Sequence, residues 1–245
     1  MYHNLELKEG AFVVSDAHYS HNRVEFLDFL KAIKTKKLHP TQLIFLGDIF
    51  DTLFGQVSFT LEINKEAIGI LNEISKEIET LYLEGNHDYN LKKIFPYIKV
   101  FSIKVQPVEM SFFKQKVLFS HGDIESPLGY NIYTAIIRNP FVLNILNLFN
   151  NIFDHIIIKK LDEYLSKKDD CKEFVGFEKF VQKRLLGKYS CDIFIEGHFH
   201  QNRSFKLKDF RYINLAAFAC NQRYFIVESS KDVGLLLQES SFTKV

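Results

Sequence analysis

The sequence predicts an α/β fold: a parallel or mixed sheet with helices on its faces and a helical insertion in the middle. Three observations carry this. Short apolar runs alternate with amphipathic patterns through the first third of the chain. The middle is helical in pattern, and the end returns to strands. In order, AFVVS (Ala11 to Ser15) reads as a strand. RVEFLDFLKAIKTKK follows with Val24, Leu27, Leu30 and Ile33 at helical spacing and lysines near its end, where they suit the helix dipole. QLIFLG is the second strand. LEINKEAIGILNEISKEI, with Ile63, Ala67, Ile70, Leu71, Ile74 and Ile78 on one face, is the second helix, and TLYLEG the third strand. This β-α-β-α-β order is the signature of helices packed on a sheet. IKVQPVEMSFFKQKVLFS reads as strands around a turn at Lys114-Gln115. The pattern is helical from about Tyr130 to Leu186. Ile193 to Ile195 is a buried strand, and SFKLKDFRYINLAAF, RYFIVES and GLLLQES are further strands. Without a repeat or a low-complexity linker, residues 1–245 read as one domain, with a helical cap inserted at about 126–188.

Composition bounds the function. At 245 residues the chain can bury a substantial core. A formal net charge of +1 offers no electrostatic case for nucleic acid as a partner. Cys171, Cys191 and Cys220 are odd in number and widely spaced. They suit a reducing cytosol better than a disulfide framework and form no zinc-type pair. The N-terminus has no apolar core behind a basic start, so no export signal is expected, and no apolar run is long enough to span a bilayer. These features predict a cytoplasmic protein.

The chemistry sits at the strand ends. After AFVVS come Asp16-Ala17-His18, and after LIFL come Gly47-Asp48-Ile49-Phe50-Asp51. LYLE is followed by Gly85-Asn86-His87-Asp88, VLFS by His121-Gly122-Asp123, and IFIE by Gly197-His198-Phe199-His200. In open α/β sheets, sites gather outside the carboxyl ends of strands. Carboxylates, imidazoles and an amide form a mixed oxygen and nitrogen set that suits manganese, iron or zinc. Each motif alone has a bland reading: Asp-x-His is usually a loop, and Gly, Asn and Asp all favour turns. Five such motifs, each at a strand end, argue for a site.

Together DAH, GDIFD, GNHD, HGD and GHFH resemble the calcineurin-like metallophosphoesterase superfamily, over most of the chain from Asp16 to His200. The resemblance implies a four-layer α/β/β/α sandwich and two divalent metal ions, manganese being the first expectation. It implies that Asp16, His18 and His200 bind one ion, that Asn86, His121 and His198 bind the other, and that Asp48 bridges them. Asp51 would steady a ligand from behind. His87 would contact the phosphate or protonate the leaving oxygen, with Asp88 orienting it; filling space beside Asn86 is its bland alternative. Asp123 reads as a turn stabiliser.

The insertion bears on the substrate. PFVLNILNLFNNIFDHIIIKKL places Asn144, Asn147, Asn151 and Asp154 in a narrow polar stripe on an otherwise apolar helix, with Lys159-Lys160 following and Lys167-Lys168 beyond. It reads as a lid for acyl chains or a contact with a membrane surface. A helix buried on several sides, or in a dimer interface, is the alternative. An apolar cap directly after His-Gly-Asp is similar to the UDP-2,3-diacylglucosamine pyrophosphohydrolases of lipid A biosynthesis, and GYNIYTAIIRNP (Gly129 to Pro140) resembles a Gly-Tyr segment of that branch. The resemblance implies hydrolysis of a UDP-linked, diacylated sugar to UMP and the sugar 1-phosphate. It also implies substrate contacts at Tyr130, Arg138, Leu146, Phe149 and Phe153, and peripheral contact with the inner membrane. The chain departs from that branch at His87, where arginine is common, and at Pro127-Leu128 and Gln201-Asn202. A phosphodiesterase or phosphatase acting on a soluble substrate is the first rival. A non-catalytic interaction module on the same fold is the second.

Overall fold

The computed structural model describes residues 5–243; the first four residues of the segment read above for an export signal lie outside the described residues. The elements follow in chain order. The first half holds β1 (Phe12–Val14), α1 (Glu25–Lys34), β2 (Leu43–Phe45), β3 (Leu53–Phe54), α2 (Ser58–Ile63), α3 (Lys65–Glu77), β4 (Thr80–Leu83), β5 (Asp88–Tyr89), β6 (Lys99–Phe101), β7 (Val108–Phe112) and β8 (Gln115–Ser120). The second half holds α4 (Leu128–Ile137), α5 (Pro140–Ile152), α6 (Ile156–Ser166), α7 (Phe177–Leu185), β9 (Ile193–Glu196), β10 (Arg203–Leu207), β11 (Phe210–Asn214), α8 (Phe218–Asn221), β12 (Arg223–Ser230) and β13 (Gly234–Ser241).

Two sheets stack face to face. One runs β13-β12-β1-β2-β4-β6 and the other β10-β11-β9-β8-β7. In the first, β1, β2, β4 and β6 are parallel, and in the second β8, β9 and β11 are parallel. Strands β1, β2 and β4 are buried at every residue, as strands covered on both faces must be. Val13, Ile44, Leu81, Met110, Phe119 and Ile195 fill the space between the sheets. Phe26, Phe29 and Leu30 of α1 and Leu71 and Ile74 of α3 cover the outer face of the first sheet. Phe177, Val181 and Leu185 of α7 cover the outer face of the second, against Phe194 and Tyr212. The layers therefore run α/β/β/α.

Three readings are corrected. The helix expected over Leu61–Ile78 begins as a separate α2 and breaks at Asn64, whose side-chain amide donates to the Thr52 and Thr60 carbonyls and so occupies, at Thr60, the acceptor its backbone N–H would use in a continuous helix. The hairpin turns at Phe113-Lys114, one residue earlier than expected. Cys171 and Cys220 form a disulfide, 49 residues apart in sequence with Cα atoms 5.7 Å apart, and Cys191 is free. Linear spacing gave no cue to a pair assembled by the fold.

The insertion divides into four helices. Asn139 caps α5, its side chain accepting from Phe141 N, with Pro140 in the first turn. Left-handed Asp154 and His155 end the apolar helix early, so the expected polar stripe does not run through. The asparagine that matters here is Asn150: fully buried, it accepts from Ile158 N and lies 3.2 Å from His155 Nδ1. Only α4 to α6 stand over the strand ends, because α7 belongs to the outer layer. Leu143 and Ile158 pack on Phe54, Val57 and Tyr89 beside the small sheet β3-β5, which forms the floor of the cap.

Candidate metal centre

All the parallel strands that carry motifs end on one edge of the stacked sheets, so five loops meet there. Backbone bonds lock them together. Asp16 N donates to Gly47 O at 3.1 Å, His18 N to Asp48 O at 3.0 Å, and Gly197 N to His121 O at 2.9 Å. The loops approach closely because glycine leaves room: a Cβ on Gly85 would lie 2.2 Å from Asp48 Oδ1, and one on Gly197 1.8 Å from Ser15 Oγ. Asp16, His18, Asp48, His198 and His200 all have left-handed backbones, with φ between 46° and 63°. Non-glycine residues avoid this region at about 1–3 kcal/mol each, and such residues gather at functional sites.

The imidazoles are aimed by their Nδ1 atoms. His18 Nδ1 lies 3.0 Å from Asp51 Oδ1, His121 Nδ1 donates to Leu46 O at 2.7 Å, and His200 Nδ1 donates to Asp170 O. Each Nε2 is left facing inward. His200 Nε2 is 3.1 Å from Asp16 Oδ1, and His121 Nε2 is 3.2 Å from Asn86 Oδ1 and 3.4 Å from Asp48 Oδ2. His18 Nε2 is buried with no hydrogen-bond partner. Asp16, His18 and His200 form one group with ligand atoms within 4.8 Å of one another, and Asp48, His121 and His198 form another. Buried carboxylates, inward lone pairs and an orphaned imidazole nitrogen fit divalent cations. His18, Asp51 and His87 also cluster, but there the Asp51 carboxylate is engaged with His18.

The charges are strongly coupled. Burial pushes the Asp16 carboxyl up, but His200 beside it outweighs burial and holds it at about 2. Asp48 lies well below the usual carboxylate range because His121 and His87 outweigh its burial. Loss of hydration and the charge of His121 lower His198 to about 4, which keeps its ring neutral and able to coordinate.

The structure brings Asp16, His18, Asp48, Asn86, His121, His198 and His200 to one place, with Asp51 behind His18. It corrects Asp88. Its carboxylate does not bond His87; it accepts from Asp48 N, Ile49 N, Phe50 N, Gly85 N and the Tyr82 hydroxyl, and so shapes the Asp48 loop. Asp51 O holds His87, accepting from Nδ1 at 2.9 Å, a backbone role invisible to residue type. Asp123 is more than a turn residue: its carboxylate accepts from Arg138 at 2.9 Å.

A cavity of about 480 Å³ opens from Asn86 and His87 into the cap. Tyr130, Tyr133, Leu146, Ile157, Leu161 and Leu165 line it. Of the five residues expected to touch substrate, Tyr130 and Leu146 lie on its wall. Arg138 does not: it is committed to Gly85 O and Asp123. Phe149 and Phe153 do not line it either: they are 49% and 58% exposed and stack on each other outside the cavity. Lys168 lines both this cavity and a groove beside His198 and His200, and its charge is felt at His87. In the sequence it is one lysine in a run. Asp170, whose carbonyl holds His200, carries no motif at all.

A family model described as calcineurin-like phosphoesterase matches residues 11–202. A UDP-2,3-diacylglucosamine hydrolase of Wigglesworthia glossinidia brevipalpis is 25% identical over 241 residues, covering 91% of this chain and 92% of that protein. One from Psychromonas ingrahamii is 24% identical over 196 residues, covering 77% and 79%. The solved phosphoesterase Yfce from E. coli is 12% identical, with a TM-score of 0.48, over 95% of this chain and 99% of its own.

Proposed function

This chain belongs to the calcineurin-like phosphoesterase family, and from that premise we propose that it hydrolyses the pyrophosphate of a UDP-linked, diacylated glucosamine, releasing UMP and the acylated sugar 1-phosphate. It is a metal-dependent hydrolase of phosphoester bonds; the lipid substrate is the finer reading. The observation that carries the finer reading is the apolar cavity that runs from His87 and Asn86 into the cap. Leu146, Ile157, Leu161 and Leu165 give that cavity an aliphatic wall against which acyl methylenes would be sheltered from water.

In this reading Asp16, His18 and His200 would hold one divalent ion, and Asn86, His121 and His198 the other, with Asp48 shared as the bridging carboxylate that the family resemblance implies. When bound, such a pair supplies Lewis acidity and a hydroxide at neutral pH. The chain does the rest. Asp51, Leu46 O and Asp170 O fix the ring orientations, and the Asp88 carboxylate fixes the Asp48 loop. His87 is anchored at Nδ1, so Nε2, 4.0 Å from Asp48 Oδ2, is the nitrogen that exchanges a proton. Burial lowers its pKa, so a charged ring there gives its proton up readily. Lys168 offers a cation to the pyrophosphate beside both openings.

Turnover of synthetic UDP-2,3-diacylglucosamine, read as metal-dependent UMP release, tests the reading against bis-p-nitrophenyl phosphate. Hydrolysis of the diester alone would leave a phosphodiesterase for soluble substrates. In the same assay His87→Ala is expected to keep both ions and to slow the chemical step roughly 10²–10⁴-fold. Loss of a metal ion, or an unchanged rate, would remove His87 from that role.

The outer face of the cap extends the reading to the lipid surface. Phe141, Leu148, Phe149, Ile152 and Phe153 are each about half exposed or more, and in α6, which follows, Lys160 is exposed, as is Lys159 in its ion pair with Asp154. Among the described residues no single helix is long and apolar enough to cross a membrane; α4 and α5 reach that length only together, bent by 59°. The cap is proposed to rest on an anionic bilayer. Phe149→Ser with Phe153→Ser is expected to reduce co-sedimentation with anionic vesicles severalfold while the diesterase rate holds. Equal sedimentation of both proteins would end the membrane reading.

A further inference from the structure

We infer that Arg138 and Arg184 are positioning residues that fasten the helical insertion to one half of the metal centre, the half built from Asn86, His121 and His198. Arg138 closes α4, the first helix after His121, and Arg184 lies in α7, the last helix before His198. Neither residue belongs to a metal-ligand motif, and Arg138 was expected to meet substrate rather than to hold a loop. The inference rests on the two-metal reading above.

The bonds are specific. Arg138 Nη2 donates to Gly85 O and to Asp123 Oδ2, both at 2.9 Å. Gly85 immediately precedes Asn86, and Asp123 is two residues beyond His121. Arg184 Nη1 donates to Gly122 O at 2.8 Å and to Ile124 O at 3.1 Å, and Nη2 donates to Glu196 Oε1. Gly122 follows His121, and Glu196 is two residues before His198. The two guanidiniums thus meet on the 121–124 loop from opposite sides. One ties it to the Asn86 loop and the other to the His198 loop.

These fastenings are built, not incidental. Arg184 is 8% exposed and Glu196 fully buried. The Tyr212 hydroxyl donates to the same Glu196 oxygen at 2.6 Å. Arg184 Cζ lies 5.0 Å from the Phe199 ring and 5.7 Å from the Phe180 ring, which keep the guanidinium in its plane. Arg138 is held over Tyr89 at 5.6 Å, while its own carbonyl accepts from Asn90. A planar fork can span two loops at fixed separation, and a lysine ammonium cannot. The other half of the centre is held differently, by Asp51 on His18, Asp170 O on His200 and Ser15 on Asp16. If the arginines set loop separation, their loss falls on one ion of the two. A buried ion pair that served stability alone would loosen the whole edge.

The test is titration of the full-length, metal-stripped protein with Mn²⁺, followed by calorimetry and by the paramagnetic resonance of paired and lone ions. Wild-type protein is expected to take up two ions. In Arg184→Lys and in Arg138→Lys one step is expected to stay within about twofold of wild type. The other is expected to weaken about 10–100-fold, as loss of an outer partner of metal ligands does. The spectrum of a lone ion should replace that of the pair at two equivalents. Equal weakening of both steps, or no weakening, overturns the inference. Wild-type protein that takes up fewer than two ions overturns the two-metal reading instead. Should Arg184→Lys not fold, Arg138→Lys decides, since Arg138 pairs with Gly85 O and Asp123 and its replacement leaves the fully buried Glu196 with its partner.

Discussion

Asp48→Ala is expected to abolish hydrolysis and to cost more than the loss of any ligand confined to one ion. Asp48 belongs to the ligand group of His121 and His198, and its charge is felt at His18 in the other group. Its Oδ2 is 3.4 Å from His121 Nε2 and 4.0 Å from His87 Nε2, and its Oδ1 accepts from His87 N at 2.8 Å. Its carboxylate is ionised because two imidazoles outweigh its burial. In the proposed two-metal centre this carboxylate would offset charge on both ions, so without it neither would be held at full strength. The fall in rate should exceed the roughly 10²–10⁴-fold expected of His87→Ala. His18→Ala, which strips one ion, should fall short of it. The fold should persist, since the two sheets and their helices are sealed by separate apolar cores. Rate, metal content and melting temperature on one preparation check this. A folded variant with near-normal turnover would end the two-metal mechanism.

The second large effect lies in the cap. Leu146→Asn with Leu161→Gln is expected to raise KM for a long-chain substrate while sparing a small diester. Both side chains are half-buried on the cavity wall, away from the metal ligands. Each methylene sheltered there contributes about 0.8 kcal/mol. Wetting three of them is therefore worth roughly fiftyfold in affinity. If both substrates lose equally and the melting temperature drops, the two leucines serve only to pack the cap. If the ratio of the two activities does not change in a folded protein, acyl chains do not lie there, and the main support for a lipid substrate goes with them.

Much of the candidate centre was legible because each expected ligand stands just past a buried strand, where apolar runs stop and polar residues begin. Asp16, Asp48, Asn86, His121 and His198 could be placed from that punctuation alone. What could not be read was the support behind them. Asp51 and Asp170 act on His87 and His200 through backbone carbonyls, which every residue owns. Asp88 looked like the partner of His87 because it is adjacent in sequence, but strand β5 turns its carboxylate towards the Asp48 loop instead. The cap was legible as apolar and helical. Its breaks were not, because left-handed Asp154 and His155 carry no glycine to mark them. Arg138 looked free to meet substrate since its acceptors lie 15 and 53 residues away.

The left-handed backbones at Asp16, His18, Asp48, His198 and His200 set durability against activity. At about 1–3 kcal/mol each they withhold several kcal/mol from a fold whose net stability is on the order of 5–15 kcal/mol. Glycine at any of these positions would relax the chain and remove a ligand in the same step. A lineage released from the need to hydrolyse its substrate would therefore drift towards a hardier, inert protein, and these five positions would be the first to change. Efforts to raise heat resistance by substitution meet the same conflict, and screens that score melting alone will select against the reaction.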